Sequence, residues 1–443
     1  MSNLYLDFKR TNPWRSLSGK IASFAKKSSL VQRVSPDFCP EKFLIAFLQA
    51  VVTGEASLNE IAMDLEGPTA DETNSTQTLQ QRITRTETGL EGFLLYCLIH
   101  VLNFRTDEKK STLLKSPFKR ILTEDSSFLR LLKKNAEHFP AHGNTHGKTA
   151  GAKTDLIFDL LSGEPIHADL YLGTEQDKII GDDLFAYLQS EDLVLRDMGY
   201  FSVEMFRAIE EFGADWLSRL PLSVDALVHR KTEQGDEIER GLEKVLQRTK
   251  ADRLDLTVSL SAKGHRVRLV AVRVSEQEAQ KRRRARKAKA QEKGKTVSQK
   301  SRIRDGWHLM VTSIQKEIQS VEELCEIYRQ RWQIEIVFRA WKQSSDLTSA
   351  LNRVSSVQHL KGLMLSGILL MAMSLRMGLG LVRNDPSNRI SLEKVFTYLM
   401  KKIRKLKTLK QLWELDPSPV IRQLQTQSRK RKSLAENLIE LLD

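Results

Sequence analysis

The sequence predicts a multidomain α/β protein. A mixed-sheet core is interrupted by a β-rich insertion and flanked by helical regions. Three observations carry this. Residues 117–222 mix short apolar strand-like runs with helical periodicity. Residues 254–274 hold two alternating β-rich runs that break that pattern. Residues 1–115 and 381–443 show helical patterning alone. The expected divisions are a helical region 1–115, a first part of the core 116–222, an insertion 223–312, a second part of the core 313–380 and a helical region 381–443.

The elements follow in order. Glu41–Thr53 is apolar and stops at Gly54. Ser57 and Glu60 form a capping box that opens a helix to about Glu66. After Gly67-Pro68, Ser75 opens a polar helix 76–83 carrying Gln80, Gln81 and Arg82, and an apolar helix follows from Leu90 to Leu102. The two short helices fit a helix-turn-helix or an ordinary helical bundle. Residues 120–125 read as a strand ending in acids, and 154–161 with 166–172 as a hairpin. A helix from about Asp177 to Gln189, a buried strand 192–197, a helix stopping at Gly213 and a strand 216–222 complete the first core segment. Leu254–Leu260 and Val267–Val274 look like a separate small β unit, with the basic stretch 276–304 as an exposed linker or arm. Residues 307–312 form one more strand.

Next comes Tyr328-Arg-Gln-Arg331-Trp-Gln-Ile-Glu335-Ile-Val-Phe-Arg-Ala-Trp-Lys342. Ser320 and Glu323 are a capping box, and no Gly or Pro interrupts the chain through Gln343, so the stretch reads as one helix from about Val321. At about 100° per residue, Tyr328, Arg331, Glu335 and Lys342 share an arc of roughly 60°. Leu324, Ile327, Ile334, Phe338 and Trp341 make an apolar stripe beside it. An acid between cations and a phenol suits a place where a metal meets a phosphodiester, although periodicity alone also fits an amphipathic helix with solvated charges.

The chain has 443 residues, 40% hydrophobic and 28% charged, with a formal net charge of +14. That surplus points to a polyanionic partner, nucleic acid before membrane. Residues 276–304 hold 12 Lys and Arg against 3 Glu, nine of the fourteen charges. Cys39, Cys97 and Cys325 are scattered and odd in number, which excludes a disulfide framework and a zinc signature and fits a reducing cytosol. The start, MSNLYLDFKR, lacks a signal-peptide core. The apolar run Gly362 to Leu375 is too short to span a bilayer and reads as a buried helix.

Asp125 and Asp197 sit where predicted strands run out, and Glu335 lies on the helix. Three such carboxylates, brought together, can hold two magnesium ions, with manganese an acceptable substitute. Acids at strand ends are common, however, and Glu124, Asp155, Asp159 and Asp192 compete for the same roles. A resemblance chooses among them. Tyr-x2-Arg-x3-Glu-x6-Lys, filled by Tyr328, Arg331, Glu335 and Lys342, resembles the signature of the insertion-sequence-four family of bacterial DDE transposases. Asp125-Ser-Ser127 and Asp197-Met-Gly199-Tyr200 match the contexts of that family's two aspartates. The resemblance covers about 117–345. It implies a ribonuclease-H-like core with a β-rich insertion, Asp125, Asp197 and Glu335 as the metal-binding triad, and Tyr328, Arg331 and Lys342 as phosphate contacts. It also implies that Trp307 stacks on a flipped base. Trp307 fits a core strand residue as well, and Trp332 and Trp341 read as packing residues.

The expected function is magnesium-dependent cleavage at transposon inverted repeats and strand transfer into target DNA, cut-and-paste through a hairpin. The partners are double-stranded DNA and a second copy of the chain in a homodimer that joins two ends; no membrane is involved. The expected place is the bacterial cytoplasm, at the nucleoid. Two other readings stay open: a structure-selective nuclease, and a catalytically silent DNA-binding regulator.

Overall fold

In the computed structural model, the described residues are 13–31, 38–65, 75–86, 88–104, 117–144, 147–231, 237–260, 264–384, 390–416 and 418–425. The strands are β1 (Arg120–Leu131), β2 (Pro140–Asn144), β3 (Gly147–Asp159), β4 (Pro165–Leu172), β5 (Asp192–Arg196), β6 (Asp215–Arg219), β7 (Ala226–Lys231), β8 (Glu237–Gly241), β9 (Arg253–Leu260), β10 (His265–Arg273) and β11 (Trp307–Thr312). Helices and a mixed sheet make the fold α/β, as the sequence predicts. The chain forms two compact units. One holds residues 1–115, 124–176 and 332–443; the other holds 116–123 and 177–331.

In the first unit, the core is helical. The Val357–Asn384 helix packs against the Pro40–Thr53 and Gly89–Leu102 helices and against β4. Its apolar run, Gly362 to Leu375, is buried inside the unit, as expected. Gly362 is required by closeness: a Cβ there would stand 2.5 Å from a methyl of Leu90. Arg376, on the same helix, satisfies the Leu102 carbonyl at the end of the Gly89–Leu102 helix. The Ser57–Glu60 capping box is closed in both directions. Leu58–Leu65 and Thr76–Thr84 are helical, but the turn between them, residues 66–74, lies outside the described residues. So does the basic run Arg429-Lys-Arg-Lys432 near the end of the helical region 381–443. The hairpin forms as β3 and β4, with Asp155 opposite Asp169. β2, a short strand not anticipated, pairs with the start of β3.

In the second unit, the sheet runs β1–β5–β6–β11–β10–β9–β7–β8. β1, β5 and β6 are parallel; β11 joins β6 antiparallel, and the rest continue antiparallel. Arg120 clamps β1 to β5 through Asp192, which is fully buried. Phe206, from the Val203–Glu211 helix, stacks on Trp216 of β6 with centroids 3.8 Å apart. This packs the helix on β6.

Several expectations change here. β9 and β10 do not form a separate β unit; β11 sits between β6 and β10, so they extend the same sheet. β1 does not end at its acids but runs on to Leu131, because Phe128 and Leu129 lie against Gly151 of β3. The span 177–189 is one helical turn followed by a 3-10 turn rather than a helix. β7, β8 and the Leu242–Arg248 helix were not expected. The basic stretch is not a linker. It forms the Glu276–Glu292 and Gln299–Arg304 helices. Ser275 caps the first through the Glu278 amide, and Gly294 ends it at φ 61. Ala, Gln, Lys and Arg between those stops are strong helix formers.

The signature helix is also two helices, Val321–Gln330 and Trp332–Ser344. The Arg331 amide bonds back three residues to the Tyr328 carbonyl at 3.2 Å rather than four. This tightening turn needs no Gly or Pro, so periodicity could not show it. The boundary between the compact units falls on the same bond, between Arg331 and Trp332.

Candidate functional site

In the second unit, the signature builds around the end of β5. That strand is buried along its whole length, which fixes where Asp197 emerges. Met198–Tyr200 then makes a 3-10 turn, with the Tyr200 amide on the Asp197 carbonyl at 3.1 Å. Beneath it, the fully buried Arg196 guanidinium donates to the Gly181 carbonyl at 3.0 Å. A Cβ at Gly181 would come within 2.5 Å of that guanidinium. Sequence reading treated Arg196 only as strand; a cation inside an apolar run was the signal available.

Leu324 and Ile327 bury the Val321–Gln330 helix, whose capping box is closed as predicted. Its Tyr328 hydroxyl donates to the Arg196 carbonyl at 3.2 Å. Burial pushes the phenol up to about 12; Arg331 opposes this and Asp197 adds to it. Arg331 stands 3.9 Å from Asp197, with the arginine side chain 12% exposed and the aspartate side chain 37%. The second unit therefore gathers Asp197, Tyr328 and Arg331: a partly open carboxylate beside a largely buried guanidinium.

In the first unit, Ile334, Val337, Phe338 and Trp341 bury one side of the Trp332–Ser344 helix. The other side carries Trp332, Glu335, Arg339 and Lys342, within an arc of roughly 80° at 100° per residue. Glu335 is half-buried. Lys342 donates to the Phe128 carbonyl at 2.8 Å, and burial lowers its pKa. Phe128 is three residues past Asp125 on β1, so Lys342 ties the helix bearing Glu335 to the strand bearing Asp125. Asp125 is half-buried and accepts from the Ser126 amide at 2.9 Å.

One tryptophan differs from expectation. Trp332 is 49% exposed rather than packed, with Arg339 lying 5.7 Å from its ring centre. Trp307 is 5% exposed, and the Arg273 guanidinium lies 4.3 Å from its ring centre. Trp307 is thus a buried residue of β11 with Arg273 over its ring. Trp341 is fully buried, as read from the sequence.

The candidate triad is all carboxylate, a hard-oxygen donor set that suits magnesium or manganese and does not suit zinc. Among the described residues, no three His, Cys, Asp or Glu side chains stand close enough to hold a metal ion.

An α/β chain with a mixed sheet and acids set among cations describes a class broader than one family. A family model described as a transposase DDE domain matches residues 116–369, more than half of the chain, and the chain belongs to that family. It is 30% identical over 240 residues to the transposase for insertion sequence element IS231C of Bacillus thuringiensis subsp. berliner, covering 51% of this chain and 50% of that one. It is 31% identical over 240 residues to the IS231D transposase of Bacillus thuringiensis subsp. finitimus, with the same coverage. To the IS1151 transposase of Clostridium perfringens it is 22% identical over 243 residues, 52% of this chain and 51% of that one. The chain thus spans about half the length of the curated relatives it matches. A solved piggyBac transposase synaptic complex with hairpin DNA is similar at a TM-score of 0.46 and 10% identity, over 100% of this chain and 86% of that one.

Proposed function

We propose that the protein is a metal-dependent DNA transposase that cleaves at inverted terminal repeats and transfers the freed ends into target DNA. The observation that carries this is the Asp197–Arg331–Tyr328 cluster. A carboxylate at the end of a buried strand is held beside a guanidinium, and the neighbouring phenol is locked onto the strand's last carbonyl. Family membership and the relatives' names support the same reading.

In this reading, Asp125, Asp197 and Glu335 are the metal ligands. Held by these carboxylates, two magnesium ions would supply activation of the attacking oxygen and stabilisation of the leaving one. Arg331 and Lys342 hold phosphate oxygens of the transposon end, and Tyr328 keeps the Arg331 turn in place. Trp332, exposed one residue after Arg331, offers a ring face for stacking in addition to Trp307. Cleavage runs through a hairpin, and a homodimer brings two ends together at the nucleoid.

The test uses purified protein, magnesium and a labelled duplex carrying the element's own terminal repeat with flanking DNA. A nick at the repeat boundary that matures to a hairpin and then joins target DNA supports the proposal, provided Asp125→Ala removes it. Cleavage unrelated to the repeat, without joining, replaces it with a nuclease.

A further inference from the structure

The 281–289 segment of the Glu276–Glu292 helix reads Lys-Arg-Arg-Arg-Ala-Arg-Lys-Ala-Lys, with no acid between Gln280 and Gln291. The structure divides these cations into two sets. Arg282 bonds Glu278 at 3.0 Å and His308 at 3.0 Å. Arg283 bonds Glu276 at 3.0 Å and reaches the Arg302 carbonyl at 3.4 Å. Arg286 grips both oxygens of Asp305, a carboxylate only 3% exposed. These three arginines fall within an arc of roughly 100° and fasten the helix to its own unit. Lys281, Arg284, Lys287 and Lys289 occupy the remaining arc. All four are exposed, and none has an ion-pair or hydrogen-bond partner among the described residues.

Like charges three residues apart on a helix repel and weaken it. The fold therefore holds a ridge of uncompensated charge in place with dedicated anchors, which a solvated linker does not need. We infer that this ridge is a sequence-independent docking surface for the phosphate backbone of double-stranded DNA. Charge complementarity selects the partner. From Lys281 to Lys289 the ridge is about 12 Å long at about 1.5 Å per residue. That length of duplex axis carries about seven phosphate charges at one per roughly 1.7 Å, more than enough to meet four cations. The ridge offers no aromatic ring and no Asn or Gln between its cations, so it is built to bind backbone rather than to read bases. Because the anchors fix the helix beforehand, little ordering entropy is lost on binding.

The inference rests on the reading that the protein works on DNA. It is tested with the full chain carrying Lys281→Ala, Arg284→Ala, Lys287→Ala and Lys289→Ala, using anisotropy of a labelled duplex of arbitrary sequence across a salt series. Each lost phosphate contact removes about 0.9 from the slope of log K against log salt. The expected fall is about three to four, with an unchanged or raised melting temperature. Should alanine compromise folding, glutamine at the same four positions serves instead. A folded variant with the wild-type slope overturns the inference, as does one that loses heparin binding but keeps duplex binding. Repeat cleavage by the wild type is measured alongside. Cleavage with an unchanged variant slope sinks the ridge alone; no cleavage with a reduced slope sinks the transposase reading and leaves the ridge.

Discussion

The Val321–Gln330 helix turns Tyr328 inward onto the Arg196 carbonyl and keeps Arg331 nearly covered beside Asp197. The Trp332–Ser344 helix leaves Trp332 half in solvent and holds Glu335 and Arg339 half-buried on the face opposite its core. Adjacent in sequence, the two helices use their polar faces differently. The first spends its Tyr328 hydroxyl on an internal bond and sets Arg331 beside Asp197. The second ties Lys342 to the Phe128 carbonyl and leaves Trp332 and Arg339 partly in solvent.

Removing the chemistry of the second helix should have the largest effect. Glu335→Ala is expected to lower repeat cleavage by on the order of a thousandfold or more, as for groups that act as a unit. Duplex binding should stay near wild type, since the carboxylate's task is the metal. A gel-based cleavage assay with a parallel binding curve checks this; binding lost as completely as cleavage would move Glu335 into the core. The two tryptophans of that helix sharpen its two-sidedness. Trp341→Ala should cost about 3–5 kcal/mol of stability, whereas Trp332→Ala should change stability by no more than about 0.5 kcal/mol and weaken end binding by about 1–3 kcal/mol. Equal melting temperatures for the two variants would refute the division.

The first helix is broken more gently. Tyr328→Phe removes the hydroxyl's bond to the Arg196 carbonyl and should cost about 1 kcal/mol. Its pH signature is distinctive. A phenol held up to about 12 in the folded state contributes stability that is complete below its ordinary value near 10 and lost as pH rises toward 12. Urea midpoints at pH 9 and 11 should therefore converge in Tyr328→Phe. The smallest effect lies on the acid side, in the first unit. Burial holds His359 down to about 4. Its contribution is complete above its ordinary value near 6.5 and lost as pH falls toward 4. Between pH 7.5 and 5, the wild type should lose more stability than His359→Leu.

Local chemistry made much of this legible. The capping boxes at Ser57 and Ser320, the stop at Gly54 and the buried run after Gly362 follow from short-range rules, and the structure keeps all of them. Tyr328 and Arg331 were singled out by a four-residue spacing that a single helix would satisfy, and Asp197 by its place after a strand and its Asp-x-Gly-Tyr context; the structure sets the three side by side. The break at Arg331 was not visible, because a tightened turn leaves periodicity nearly intact. The helical arm at 276–292 was missed even though its Ser275 cap and Gly294 stop are in plain view. Its charge density was read as solvation before its helix signals were read.

What the sequence determined by itself is local: which residues favour helix or strand, where helices start, and which residue types stand at the signature spacing. Which tryptophan is covered, which arginines anchor and which remain free was decided only by tertiary structure. Trp307 and Trp332 are chemically identical, and so are Arg283 and Arg284. Their difference comes from the neighbour each one meets: Arg273 over one ring and solvent beside the other, Glu276 beside one guanidinium and no described partner for the next. Those neighbours are set by packing, which no single-residue preference encodes.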